Sequence, residues 1–155
     1  MGETKQNIMT EFQKQIAIRW ADLDANYHVR HSVYYDYGAQ HRIELLASVG
    51  LTTEVMRNEH FGPVIFREEC VFRREIRFED KIFINTRLAK VRHDYARWTI
   101  QHILSDAEGV VRAVVTLDGA WIDTQTRRLA DPTPASAVKA LSAFPKTEDF
   151  KETDK

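Results

Sequence analysis

One long helical pattern, followed by little except long alternating segments, narrows this chain to very few folds. Between residues 33 and 49, Tyr34, Tyr37, His41 and Leu45 form one apolar row, with Tyr35, Ala39, Ile43 and Leu46 beside it. That is helical spacing with a wide apolar arc. Ser32 is placed to cap the start and Gly50 to close the end, giving a rod about 25 Å long at 1.5 Å per residue. An arc that wide calls for cover by a sheet that wraps the helix.

The remaining patterning supplies such a sheet. Ile16, Ile18 and Trp20 alternate with polar or small neighbours over 15–21, the period of a half-buried strand. A weaker helical stretch spans 52–58. Strands are expected over 64–78, with a bulge at Glu68 and Glu69, then over 82–88 and 98–104. A hairpin turn at 105–109 leads into a last strand over 111–121, and Pro134 opens a short helix through Leu141. A helix followed by consecutive strands is an α+β domain with a meandering antiparallel sheet.

The chain has 155 residues, 43% of them hydrophobic, which suits one compact domain. We expect a single domain over 15–143. The polar residues 1–14 and the charged tail 144–155, with Lys146, Glu148, Asp149, Lys151, Glu152, Asp154 and Lys155, are expected to fray. A formal net charge of -1 gives no overall pull toward nucleic acid or an anionic membrane. The lone Cys70 sits among alternating apolar residues and reads as buried filler in a reducing compartment. With no secretory pattern and no long apolar run, the expected location is cytoplasmic.

Chemistry concentrates at Asp24-Ala25-Asn26-Tyr27-His28, between the first strand and the long helix. A carboxylate, an amide and an imidazole at every second position lie in a loop that delivers the chain to a helix start. His31 and Ser32 mark that start. Backbone N–H groups of a first helical turn lack intrahelical partners and carry partial positive charge, so they stabilise an oxyanion. An upstream carboxylate then attacks a polarised carbonyl or activates water against it. Asp22 reads as structural. His28 and His31 are too few to fix a metal, so no metal is expected. Tyr34, Tyr35 and Tyr37 read as core and dimer packing, with Tyr34 placed to line an acyl or aryl pocket. Serine-hydrolase elbow, Walker loop, dinucleotide-binding glycines and paired C-x-x-C motifs are all missing.

The run from Arg19 to Arg42 resembles the signature of the 4-hydroxybenzoyl-CoA thioesterase and acyl-CoA thioester hydrolase group, with Asp22, Asp24, His28, Val29 and Tyr34 in register. Phe78-Glu79-Asp80 and the strand after it extend the similarity to about residue 132. The loop also resembles that of acyl-carrier-protein thioesterases. The resemblance implies a hotdog fold, an antiparallel sheet wrapped around one long central helix. It further implies acyl-CoA hydrolysis without a cofactor, with Asp24 as nucleophile or general base, and Asn26 and His28 at the site.

The same resemblance implies a homodimer or dimer of dimers with active sites at the subunit interface. Lys90 and Arg92, joined by Arg97, would then hold the nucleotide phosphates of CoA. Arg30 and His31 depart from the family, which has two asparagines there, and this departure bears on substrate type or rate. A binder of acyl-CoA that does not cleave it, and an acyl-thioester dehydratase, remain as alternatives.

Overall fold

A computed structural model of the protein describes residues 12–155. The long apolar pattern forms α1 (Val33–Ser48), which buries Val33, Tyr34, Gly38, His41, Leu45 and Leu46. Gly50 closes it at φ 94°, a left-handed conformation that glycine adopts without a Cβ clash. Leu51 N–H then donates to Leu46 O at 2.8 Å. The start differs from expectation. Ser32 is itself helical, at φ -70° and ψ -24°, and its hydroxyl caps nothing; Val33 N–H donates instead to Arg30 O at 3.0 Å. The short α2 (Thr53–Asn58) is capped by Thr52, whose Oγ1 accepts from Val55 N–H at 3.1 Å.

β2 (Phe61–Phe72), β3 (Ile82–Arg92), β4 (Arg97–Asp106) and β5 (Val111–Asp123) build the sheet, joined by the short β1 (Gln13–Gln15). The order is β1-β3-β4-β5-β2, antiparallel throughout, and β6 (Lys146–Thr153) adds in parallel beside β3 after α3 (Ala135–Ser142). Period-2 alternation sends Trp98, Ile100, His102 and Leu104 of β4, and Ala113, Val115 and Leu117 of β5, to one buried face. The helix α1 packs on β3 and β5, and its Gly38 comes so close to β4 that an added Cβ would lie 2.9 Å from His102 Cδ2. The class is α+β, with few helices on one six-stranded sheet. Among the described residues no helix is long and apolar enough to cross a membrane.

Gly119 shows how tight this face is. A Cβ there would fall 2.3 Å from Trp98 Cη2 and 2.6 Å from the Val64 carbonyl oxygen, and backbone cannot swing aside. Gly119→Ala is therefore expected to lower the unfolding free energy by about 1–3 kcal/mol in a urea titration.

Further expectations need correction. The segment 15–21 is not a strand: β1 ends at Gln15, one further bond joins Ile16 N–H to Ile82 O at 2.8 Å, and a 3-10 turn takes Trp20–Asp22, leaving Trp20 69% exposed. Asp22 causes this, because its carboxylate captures the Arg19 backbone N–H at 3.0 Å and turns the chain. The strand expected to reach residue 78 stops at Phe72, where Arg73 and Arg74 N–H both converge on Arg112 O, and its register shift falls at Ile65/Arg67 rather than at Glu68 and Glu69.

The charged tail is not frayed. Phe144 is buried edge-on to Phe12, and the backbone that follows gains partners on β3, including His93 N–H on Thr153 O at 2.8 Å. Charge does not oppose an edge strand whose side chains stay in water. The expectation for residues 1–11 lies outside the described residues. At 12–14, Phe12 is buried and β1 begins.

Candidate active site

The Asp24 loop is a tight hairpin bridged at Leu23 and Val29. Asp24 N–H donates to His28 O at 2.8 Å, Tyr27 N–H donates to Asp24 O at 3.1 Å, and Tyr27 takes φ 63° to close the turn. The exposed Asp24 carboxylate serves the loop through one oxygen: Oδ1 accepts from Asn26 N–H at 2.8 Å and from His28 N–H at 3.2 Å. Among the described residues Oδ2 accepts no hydrogen bond. Asp24 is thus an Asx-turn residue with a free oxygen. The Asn26 side chain is exposed, and His28 is half-buried with Nε2 4.0 Å from Glu75 Oε1.

The base of this loop is tied to the helix entrance. Arg30 N–H donates to Asp22 O at 2.9 Å, and the Arg30 guanidinium reaches Ala21 O, so the residue standing where the family has asparagine anchors the loop with its own long side chain. His31 and Ser32 follow, exposed, and among the described residues neither backbone N–H has a partner. Among the described residues two backbone donors are therefore open where α1 begins.

Asp22, in contrast, is structural. Fully buried, it accepts from Arg19 Nη2 at 2.7 Å, Arg19 Nε at 3.0 Å and Tyr37 Oη at 2.9 Å. Burial pushes its carboxyl up, but the Arg19 and Tyr37 hydrogen bonds more than offset this, and the net shift is downward. Tyr37 responds in the opposite direction, raised by burial and then by Asp22. Tyr34 is 3% exposed, edge-on to Phe72 with ring centroids 4.9 Å apart, and burial lifts its phenol to about 12. In this chain it is a core residue, and it lines none of the cavities described below.

Lys90, Arg92 and Arg97 do come together. With Lys155 from the tail they surround a cavity of about 140 Å³ at the far end of β3 and β4. Arg92 is committed to Asp94, with Nε to Oδ1 at 2.7 Å and Nη2 to Oδ2 at 2.5 Å, and that pairing holds Asp94 at about 2. Arg97 lies over the Phe66 ring, 5.4 Å from its centroid. Ile82 and Lys90 stand eight residues apart on β3, about 26 Å at strand rise, so this basic pocket and the Asp24 loop occupy opposite ends of the sheet.

Sequence reasoning missed a buried polar chain. Arg42 Nη1 donates to His102 Nε2 at 2.9 Å, so His102 carries its proton on Nδ1 and donates to Thr86 Oγ1 at 2.7 Å. Thr86 Oγ1 also lies 2.7 Å from His41 Nδ1. Burial first, then the Arg42 and His41 charges, push His102 well below its ordinary value, and it stays neutral. Its signal in the sequence is a histidine on the apolar parity of β4. Cys70 is lifted to about 11, by burial and then by Glu68, which suits filler rather than a nucleophile. Among the described residues no three metal-ligating side chains gather.

A family model described as thioesterase-like superfamily matches residues 18–144. Among solved structures, the protein SAV2348 from Staphylococcus aureus in complex with CoA matches with a TM-score of 0.78 at 18% identity, over 88% of this chain and 87% of its own. Slr0204, a 1,4-dihydroxy-2-naphthoyl-CoA thioesterase from Synechocystis, matches at 0.74 and 17% identity, over 84% and 95%. A thioesterase from Thermus thermophilus, complexed with coenzyme A and Zn, matches at 0.69 and 22%, over 86% and 92%. No curated protein matches the chain.

Proposed function

Because the chain belongs to the thioesterase-like superfamily and has its hotdog-type fold, we propose that it hydrolyses an acyl-CoA thioester to the free acid and CoA, with Asp24 as the reacting carboxylate. The observation that carries this reading is the free Asp24 Oδ2 in a loop that leads, through Arg30, to the open N–H donors of His31 and Ser32 at the start of α1. Those donors stabilise the oxyanion as the thioester carbonyl is attacked, either by Oδ2 itself or by a water whose proton Oδ2 takes. The tetrahedral adduct collapses with loss of the CoA thiolate, a good leaving group that needs no cofactor; on the water route this gives the free acid at once, and on the direct route it leaves a mixed anhydride on Asp24 that a water then hydrolyses to the free acid and the regenerated carboxylate. Asn26 and His28 hold the loop and the water.

The CoA nucleotide belongs in the basic pocket, where Lys90, Arg97 and Lys155 offer charge-assisted hydrogen bonds to phosphate. Within one chain that pocket and Asp24 lie at opposite ends of the sheet, an arrangement suited to an ester laid across two copies. The β2 edge fits such pairing, since it exposes Ile65, Phe66, Val71 and Phe72 on a strand whose outer edge has no partner among the described residues.

Thiol release measured over short, long and aromatic CoA esters tests the activity. A domain that only binds would raise its melting temperature with CoA esters and yield no free thiol, and that outcome would end the hydrolase reading. The double variant Lys90→Ala/Arg97→Ala is expected to raise KM about tenfold more than it changes kcat, the loss of about one charged hydrogen bond. An unaltered KM would remove the phosphates from this pocket.

A further inference from the structure

The family match ends at residue 144, and β6 lies beyond it. Yet this added strand reaches the basic pocket. Its register sets Lys151, Glu152 and Thr153 beside Lys90, Val91 and Arg92 of β3, and His93 N–H donates to Thr153 O at 2.8 Å. Thr153 Oγ1 in turn donates to Lys155 O at 3.0 Å, a turn that brings Thr153 and Lys155 onto the wall of the cavity of about 140 Å³. Phe150 packs on the core, but Lys151, Glu152 and Lys155 are exposed, so backbone bonds to one strand edge hold the end of the tail. Segments held in this way open locally at low cost.

The charge in that cavity is unbalanced. Arg92 is paired with Asp94, whereas the side chains of Lys90, Arg97 and Lys155 make no hydrogen bond or ion pair among the described residues. Asp118, the acid on the same wall, already accepts from Thr99 Oγ1 at 2.6 Å. Three free cations against one carboxylate leave a surplus of two charges. A phosphate monoester carries about 1.5 to 2 negative charges near pH 7, with three acceptor oxygens to share among those cations. A bridging diester phosphate carries about one and matches less well.

We propose that β6 is a strap that completes this pocket around the one phosphate monoester of CoA, the group on its ribose, and that the protein thereby tells CoA esters from thioesters whose carrier lacks it. The inference rests on the placement of the CoA nucleotide above. With Thr153 and Lys155 on the tail and Lys90 and Arg97 on β3 and β4, the phosphate ties the tail to the sheet it pairs with. Ligand and strap are then linked. The phosphate binds the paired tail and not the open one, so occupancy holds β6 shut. A carrier-bound phosphopantetheine, whose phosphate is a diester, leaves the strap loose.

The test uses CoA and dephospho-CoA, which differ by that phosphate and require no turnover. Calorimetric titration of wild-type protein is expected to give a Kd about tenfold lower for CoA, the worth of one charged hydrogen bond. In Lys155→Glu the two Kd values converge. Amide exchange reads the strap directly: with CoA at ten times its Kd, exchange of the His93 N–H should slow about elevenfold, while the Ile16 N–H, bonded to Ile82 O at the other end of β3, keeps its rate. Dephospho-CoA at the same multiple of its Kd leaves His93 unchanged. Equal wild-type affinity for the two ligands, or binding of neither, overturns the proposal even if Lys155→Glu fails to fold. A CoA preference that survives in folded Lys155→Glu, or a His93 rate that CoA does not alter, also overturns it. Hydrolysis is judged apart from these results. Thiol release from acyl-CoA together with equal affinities for CoA and dephospho-CoA defeats the strap and leaves the hydrolase reading standing; a CoA-specific strap without thiol release does the reverse.

Discussion

Asp24→Asn is expected to lower kcat for thioester hydrolysis by about 10²–10⁴-fold while the protein stays folded. The substitution is matched to the geometry. Asn Oδ1 can still accept from the Asn26 and His28 N–H groups, which Asp24 Oδ1 serves at 2.8 and 3.2 Å, so the Asx turn survives. Only the second oxygen is lost, replaced by an amide nitrogen that neither attacks a carbonyl nor takes a proton from water. Asp24→Ala removes the turn as well and is expected to cost stability together with rate. Purified Asp24→Asn that retains wild-type thiol release on a panel of acyl-CoAs would show that this carboxylate does no chemistry.

Asp22→Ala is expected to destabilise the fold by about 2–3 kcal/mol, because Tyr37 Oη, the Arg19 N–H and the Arg19 guanidinium all lose a charged acceptor. Exposure of Arg19 keeps the figure below that of a fully buried pair. A pH dependence comes with it. The Asp22 carboxyl is lowered in the folded protein, so its contribution is complete above the ordinary carboxylate value of about 4 and disappears as pH falls through the lower folded value. Urea midpoints followed from about pH 7 to about pH 2 should therefore fall more steeply for wild type than for Asp22→Asn. Parallel curves would mean that Asp22 is not ionised in the folded state.

The elements that the sequence made legible are those with many repeats of one period. α1, with a wide apolar arc, and β3 to β5, with sustained alternation, lie where the pattern puts them. The Asp24 loop could be placed for the same reason, since it lies between two strong signals. Segment 15–21 misled because three alternating apolar residues cannot outweigh one carboxylate that bonds the backbone three residues before it. The tail misled because strand pairing supplies backbone partners that side-chain composition does not reveal.

The cluster of Arg42, Trp98 and Trp121, which lines a cavity of about 160 Å³, was illegible for a different reason. Arg42, Trp98 and Trp121 are brought together by register, with Trp98 opposite Gly119 and two residues from Trp121 along β5, and no spacing in the chain announces that. His102 was half legible. A polar residue at an apolar position had to find a buried partner, but only the pairing Thr86↔His102 says which.

The two margins of the sheet differ in a way that governs how copies of the protein can add to one another. On one side β6 presents lysines and acidic residues to water, a surface that discourages a further strand; on the other, β2 is bare and greasy. A molecule with one welcoming margin and one guarded margin has a single valence. In the two-copy arrangement proposed above, symmetric pairing along β2 would consume it, and growth would end at a closed pair rather than run on into a filament.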